Sequence, residues 1–180
     1  MILYSGKDDH YSQRVKIVLA EKDITAEINE CSLEETPDDI LSMSPYGKLP
    51  ILIDRDLAIH DPTVMMEYLD ERFPHPPLLP VYPVSRANSR TLILRIDREW
   101  CPILDQLINA ELPEKELIKL REELLHEISS IAPTFKEFKF FMSDEFTIVD
   151  CCFATILWRL PSLGIRSVSY THLRAHETLP

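Results

Sequence analysis

Few side chains able to do chemistry stand together in this chain of 180 residues. Its four cysteines are Cys31, Cys101, Cys151 and Cys152. None belongs to a C-x-x-C pair, and no His/Cys spacing matches a zinc site. Cys151 and Cys152 are adjacent inside an apolar run, the usual setting of small buried hydrophobes. Neither a metal nor a cofactor is expected on these grounds. The stretch that stands out is ERFPHPPLLPVYP, residues 71–83, in which five of the ten residues from Pro74 to Pro83 are proline. Such a segment favours an extended, partly polyproline-II backbone. It is stiff before a partner arrives, so little ordering entropy is lost on binding. Its chemistry is recognition: ring contacts from Pro74, Pro76, Pro77 and Tyr82, and a polar group from His75. The alternative is a rigid spacer whose Leu78, Leu79 and Val81 dock on the core. Both can hold, with the leucines inward and His75 and Tyr82 outward.

Net charge is −11, and it is uneven. Residues 1–73 carry 16 acidic and 7 basic side chains, a balance of −9, whereas 84–165 carry 13 and 10, a balance of −3. Direct binding to nucleic acid is not expected, because phosphate contacts need a basic face. An acidic surface suits a basic protein partner, or simply keeps the protein soluble. No apolar run reaches about 18 residues, so no membrane span is expected. The N-terminus MILYSGKDDHYS lacks the basic start and apolar stretch of a signal peptide. Cytoplasm is the default location.

The first 73 residues alternate between strand and helix patterns. ILY (2–4) is a short apolar strand, and YSQRVKIVLAEK (11–22) a helix with Val15, Val18, Leu19 and Lys22 at helical spacing and Ser12 as its N-cap. AEINEC (26–31) alternates as a second strand. A short helix follows, with Pro37 near its start. KLPILID and LAIH flank Asp54-Arg55-Asp56, which reads as a hairpin turn. HDPTVMMEYLDERF is a helix, capped by Asp61, with Pro62 at the first helical position where its missing N–H is harmless. The order βαβαββα is that of the thioredoxin-like fold. KLP before ILID fits the proline that opens the third strand of that fold, usually cis, and Leu49-Pro50 is the candidate bond.

Residues 84–165 read as helices. Residues 84–111 have helical spacing with a kink at Pro102, and 114–131 carry an apolar stripe at three-and-four spacing, read as core and dimer surface. FTIVDCCFATILWRLP (146–161) contains the clearest helix start: Thr147 and Asp150 form an S/T-x-x-D capping box, with Phe146 as a staple against Cys151. The helix beyond is apolar almost all round and should be central.

A thioredoxin-like α/β domain (1–73), a proline-rich linker (74–83) and an all-α domain (84–165) with that capping box resemble the glutathione transferase superfamily. Within it, YSQRVKIVLAEK, MEYLDERFPHPPLLPVYPVSRANSR and FTIVDCCFATILWRLPSLGI resemble the stringent starvation protein A family, and the proline string is the most specific of the three. That resemblance implies a homodimeric, RNA polymerase-associated transcription regulator of starvation and acid stress. It would touch the polymerase holoenzyme with its sigma subunit and act by recruitment without catalysis. The family's proline motif forms a surface pocket for activation, a role that falls here on Pro74, His75 and Tyr82. The resemblance also implies a vestigial ligand site at Asp9, Ser12, Leu49, Pro50, Asp61 and Pro62. The position used by the Ser and Cys transferase classes falls on Asp9, whose carboxylate would repel a thiolate; Tyr4 and Ser12 lie nearby as substitutes. Where the transferases hold the γ-glutamyl carboxylate with Glu-Ser or Asp-Ser, this chain has Asp61-Pro62, and proline has neither donor. Two other readings stand beside this one: an enzyme using Ser12 or Cys31 on a different thiol, and a plain scaffold module.

RSVSYTHLRAHETLP (166–180) has no apolar periodicity and matches none of the helices that the family places after WRLPSLGI. It reads as a non-native tail, with His172 and His176 carrying no metal and the final helices truncated.

Overall fold

Strands form where short apolar runs can be covered, and the first of them is the centre of the molecule's only sheet among the described residues. The computed structural model describes residues 1–109 and 111–165. It divides into two compact units, Met1–Leu79 and a second that begins at Pro80. The tail expected to be non-native lies outside the described residues.

In the first unit the order is β1 (Ile2–Gly6), α1 (His10–Glu21), β2 (Glu27–Cys31), α2 (Asp38–Leu41), β3 (Ile51–Asp54), β4 (Leu57–Ile59) and α3 (Pro62–Arg72). The sheet order is β2-β1-β3-β4. β1 runs parallel to β2, with Ile2 opposite Glu27, and antiparallel to β3, with Tyr4 opposite Ile51. β4 returns antiparallel to β3, with Ile59 opposite Leu52. This is the thioredoxin-like arrangement expected from the sequence. The Leu49–Pro50 bond is cis, as expected. Arg55 and Asp56 turn the β3–β4 hairpin, Arg55 in the left-handed region at φ 57°. Leu3, Val18, Leu52, Met65 and Leu69 are fully buried between the sheet and its helices.

The start of α1 differs from expectation. Asp9, not Ser12, is the N-cap: its carboxylate accepts from the backbone N–H groups of Tyr11 (3.2 Å) and Ser12 (2.8 Å). An aspartate three residues before the serine reaches the orphan N–H groups first, and Ser12 is then inside the first turn. The segment after α3 also differs. It is not a continuous polyproline-II strip. The His75–Pro76 bond is cis, and residues 73–79 fold back as a turn. Leu78 and Leu79 are buried as expected, but Val81 is 77 % exposed and does not dock on the core.

The second unit comprises α4 (Pro83–Arg95), a π-helical turn (Ile96–Trp100), α5 (Cys101–Asn109), α6 (Glu114–Ile131), α7 (Thr134–Glu137), α8 (Ile148–Arg159) and a closing 3₁₀ turn (Leu160–Leu163). The expected disturbance at Pro102 takes the form of the π-helical turn just before it. A proline at 102 supplies no N–H to the preceding turn, and widening that turn redistributes the bonds. α6 buries Leu117, Leu124 and Ile128. α8 buries nine of its twelve residues, including Cys151 and Cys152, which confirms its central place. Around it Phe153 stacks on Phe141 (4.7 Å between centroids) and Phe135 (5.5 Å), and lies 5.9 Å from Trp100.

The capping box is formed. Thr147 N–H donates to Asp150 Oδ2 (2.8 Å), and Val149 N–H donates to Thr147 Oγ1 (3.2 Å). Asp150 Oδ1 also accepts from Phe141 N–H (2.7 Å), so one carboxylate ties the helix start to the strand-like loop before it. Phe146 meets Phe140 edge-on at 5.6 Å. Burial pushes the Asp150 carboxyl above its ordinary value, and the hydrogen bonds from Phe141 and Thr147 pull the other way. A folded-state value above the unfolded one means that the native state binds the proton more tightly. Stability contributed by this group is then greatest below the unfolded value of 3.8 and falls as pH rises towards the folded value. Asp150→Ala leaves two buried N–H groups without an acceptor, at about 1–3 kcal/mol each. Urea unfolding at neutral pH is expected to show a loss of about 2–6 kcal/mol. The deficit of Asp150→Ala against wild type is expected to narrow as the pH rises across that window.

Candidate functional site

Two places in the first unit gather the functional candidates. The first is one end of the sheet. β1 ends there at Gly6, β3 begins there at Ile51, and β4 ends there at Ile59, as the pairings Tyr4–Ile51 and Leu52–Ile59 require. The turns leaving these ends carry Asp9 and Ser12, Leu49-Pro50, and Asp61-Pro62. The topology thus brings the expected vestigial ligand residues to a single edge.

At that edge the groups that could hold an anion are already engaged. A helix N-terminus stabilises an anion through its free N–H groups. At α1 the Asp9 carboxylate occupies that position itself. Its Oδ2 accepts from Ser12 N–H and also from Ser12 Oγ–H (2.5 Å). Ser12 is fully buried, and its Oγ accepts from Gly6 N–H (2.9 Å). The serine hydroxyl therefore has both its donor and an acceptor function spent on structure. Gly6 permits the closeness: a Cβ there would fall 2.8 Å from Asp9 Cβ. At α3, Asp61 Oδ1 accepts from Val64 N–H (2.9 Å), and Pro62 fills the first helical position without an N–H. Tyr4 is half-buried on β1. Cys31 is half-exposed at the end of β2, its sulfur 3.3 Å from Thr36 Oγ1. Among the described residues no group of three or more His, Cys, Asp or Glu side chains is placed to hold a metal.

The second place is the turn after α3. Lys22, at the C-terminal end of α1, has a side chain with no solvent exposure. Its ammonium meets Asp70 Oδ1 (2.8 Å) and donates to the carbonyls of Phe73 (2.6 Å) and Pro76 (2.7 Å). Asp70, on α3, accepts from Leu78 N–H (2.8 Å) and Leu79 N–H (3.1 Å). Between the two anchored carbonyls stand Pro74 and His75, both exposed, followed by exposed Pro76 and Pro77. Tyr82 belongs to the second unit, where it precedes α4 and is 76 % exposed. Sequence reasoning missed Lys22 and Asp70. The available signal was that Lys22 shares the helical spacing of Val15, Val18 and Leu19.

A groove of about 300 Å³ is lined by Leu57, Ile59, Val64, Glu67, Tyr68 and Glu71, on β4 and α3. Tyr68 Oη donates to Asp54 (2.7 Å), and Arg72 pairs with the same carboxylate, which fixes α3 against the hairpin.

Comparison with known proteins fits this geometry. The family described as glutathione S-transferase, N-terminal domain matches residues 3–77, and that described as glutathione S-transferase, C-terminal domain matches 89–178. A stringent starvation protein A homolog from Haemophilus influenzae is 48% identical over 165 residues, 92% of this chain and 77% of the relative. The chain belongs to the stringent starvation protein A family. A homolog from Coxiella burnetii is also 48% identical over 165 residues, covering 92% of this chain and 78% of its own. Among solved structures, a Tau class glutathione S-transferase from mango, Mangifera indica, superposes with a TM-score of 0.79 at 25% identity, over 96% of this chain and 84% of that one. This chain thus has a transferase-like fold, with Asp9 capping α1 and Pro62 at the first position of α3.

Glutathione offered at that edge would lack the two donors that Pro62 removes, each worth roughly 1.5–3 kcal/mol to a charged acceptor. Calorimetric titration is expected to show Pro62→Ser binding glutathione about a hundredfold or more tightly than the wild type. Conjugation of glutathione to an electrophile is expected in neither, because a thiolate at the start of α1 would be repelled by the Asp9 carboxylate.

Proposed function

We propose that this protein is an RNA polymerase-associated transcription regulator of the starvation and stress response, which acts by recruitment and makes or breaks no bond. The observation that carries the reading is the pairing of two features in one unit: an occupied sheet edge and an exposed, clamped proline turn. Its contact residues are Pro74, His75, Pro76 and Pro77, with Tyr82 as a further contact, and its partner is the polymerase holoenzyme, met at the sigma subunit. The strongly acidic balance of residues 1–73 favours a basic partner surface and disfavours direct contact with nucleic acid. No described helix is long and apolar enough to cross a membrane, which suits action in the cytoplasm.

The protein works as a homodimer in this reading. The groove on β4 and α3 is lined by Leu57, Ile59, Val64 and Tyr68 together with Glu67 and Glu71, and Leu57 and Val64 are exposed. α4 carries Arg86, Arg90 and Arg95 and no acidic residue, and Val84 and Leu94 on it are exposed. Surfaces of opposite charge with apolar centres favour association between copies.

His75→Ala combined with Tyr82→Ala is expected to abolish transcription activation and polymerase binding while the melting temperature and circular dichroism stay at wild-type values. A fully active double variant would remove this surface from the reading. Glu71→Lys is expected to shift the protein from dimer towards monomer in light scattering, with wild-type dimers weakened by added salt.

A further inference from the structure

Proline rings restrict the turn that carries the proposed contacts, but few hydrogen bonds of its own set the path it takes. Pro74, Pro76 and Pro77 have no N–H to donate, and none of residues 73–79 belongs to a strand or helix. The shape is imposed by two side chains from elsewhere. Lys22 brings the carbonyls of Phe73 and Pro76 to one nitrogen, at 2.6 and 2.7 Å. Two carbonyls three residues apart can share one ammonium only if the chain between them loops outward. Pro74 and His75 are that loop. Asp70 then fixes the far side through Leu78 and Leu79 N–H. The ammonium has three N–H bonds and meets three acceptors, Asp70 among them, so a shorter or uncharged side chain cannot reproduce the set.

We propose that Lys22 and Asp70 are positioning residues for polymerase recognition: they touch no partner, and they set the outward loop of Pro74 and His75 on which binding depends. The proposal rests on the proline turn being the polymerase contact, and its test separates the two ideas. Rigid presentation of a loop lowers the ordering cost of binding. Loss of the clamp therefore weakens affinity in protein that is still folded.

The test measures the dissociation constant for RNA polymerase holoenzyme by biolayer interferometry, at a temperature where circular dichroism shows each variant folded. The variants are His75→Ala, Lys22→Met, Lys22→Arg, Asp70→Asn, and Lys22→Met with His75→Ala. Lys22→Met is expected to weaken binding tenfold or more. Adding His75→Ala to it should change affinity less than twofold, because the histidine is already displaced. Asp70→Asn keeps the size of the side chain and one carbonyl acceptor, and it should weaken binding to an intermediate degree. It serves in place of Lys22→Met should that variant not fold. Lys22→Arg, which keeps the charge and multiple donors, should bind more tightly than Lys22→Met. Folded Lys22→Met or Asp70→Asn with wild-type affinity would overturn the positioning role, as would losses from Lys22→Met and His75→Ala that simply add. If His75→Ala alone leaves affinity unchanged, the reading of the proline turn as the contact fails first. The His75 ring signals in NMR then judge the clamp independently: a shift in Lys22→Met supports positioning of the loop, and an unchanged signal rejects it.

Discussion

A lysine ammonium removed from water must find an acceptor for each of its three N–H bonds, and in the first unit Lys22 finds all three at the junction of α1, α3 and the turn that follows. Two neutral carbonyls could not balance its charge. The carboxylate of Asp70 does, and it also accepts from Leu78 and Leu79 N–H. A buried ion pair is weak evidence for stability, since a well-packed apolar pair can serve as well. Its value here is geometric. A segment with three prolines in seven residues cannot be held by a hydrogen-bonded ladder, and an ion pair with four backbone partners replaces the ladder. α1 and α3 are tied at the same point, so the packing of the helices and the path of the turn are one constraint.

The other end of the sheet is governed by a carboxylate too. Asp9 caps α1 and meets that helix's N–H groups from inside the chain. Pro62 acts by omission at α3, where Asp61 closes the cap. The transferase-like architecture is kept here by caps that stabilise α1 and α3 from within the chain.

Much of this was legible because it is local. The βαβαββα order, the Asp61-Pro62 helix start, the cis bond before Pro50 and the Thr147–Asp150 box each depend on neighbours a few residues away. The stringent starvation protein A resemblance was legible in the same way, through contiguous strings. What was not legible depends on distance along the chain. Lys22 and Asp70 are 48 positions apart, and nothing near either one announces the other. The cap of α1 went to Asp9 instead of Ser12 because both are good caps by type, and the choice follows from the close approach that Gly6 allows. Proline content suggested an extended, partly polyproline-II strip, and Lys22 and Asp70, both outside the segment, hold it as a turn. The rigid-spacer alternative placed Val81 on the core with Leu78 and Leu79, and only the two leucines are buried.

The prolines of that turn have a consequence for the company the protein keeps. An exposed apolar segment with free amide hydrogens can be extended by the edge of another chain's sheet, which is how sticky surfaces nucleate aggregates. Pro74, Pro76 and Pro77 offer no amide hydrogens, and the carbonyls of Phe73 and Pro76 point at Lys22 instead of outward. The surface can be touched by a complementary side-chain pattern, and it cannot be zipped onto by an arbitrary strand. The turn can thus stay permanently exposed without offering other chains a strand edge on which to assemble.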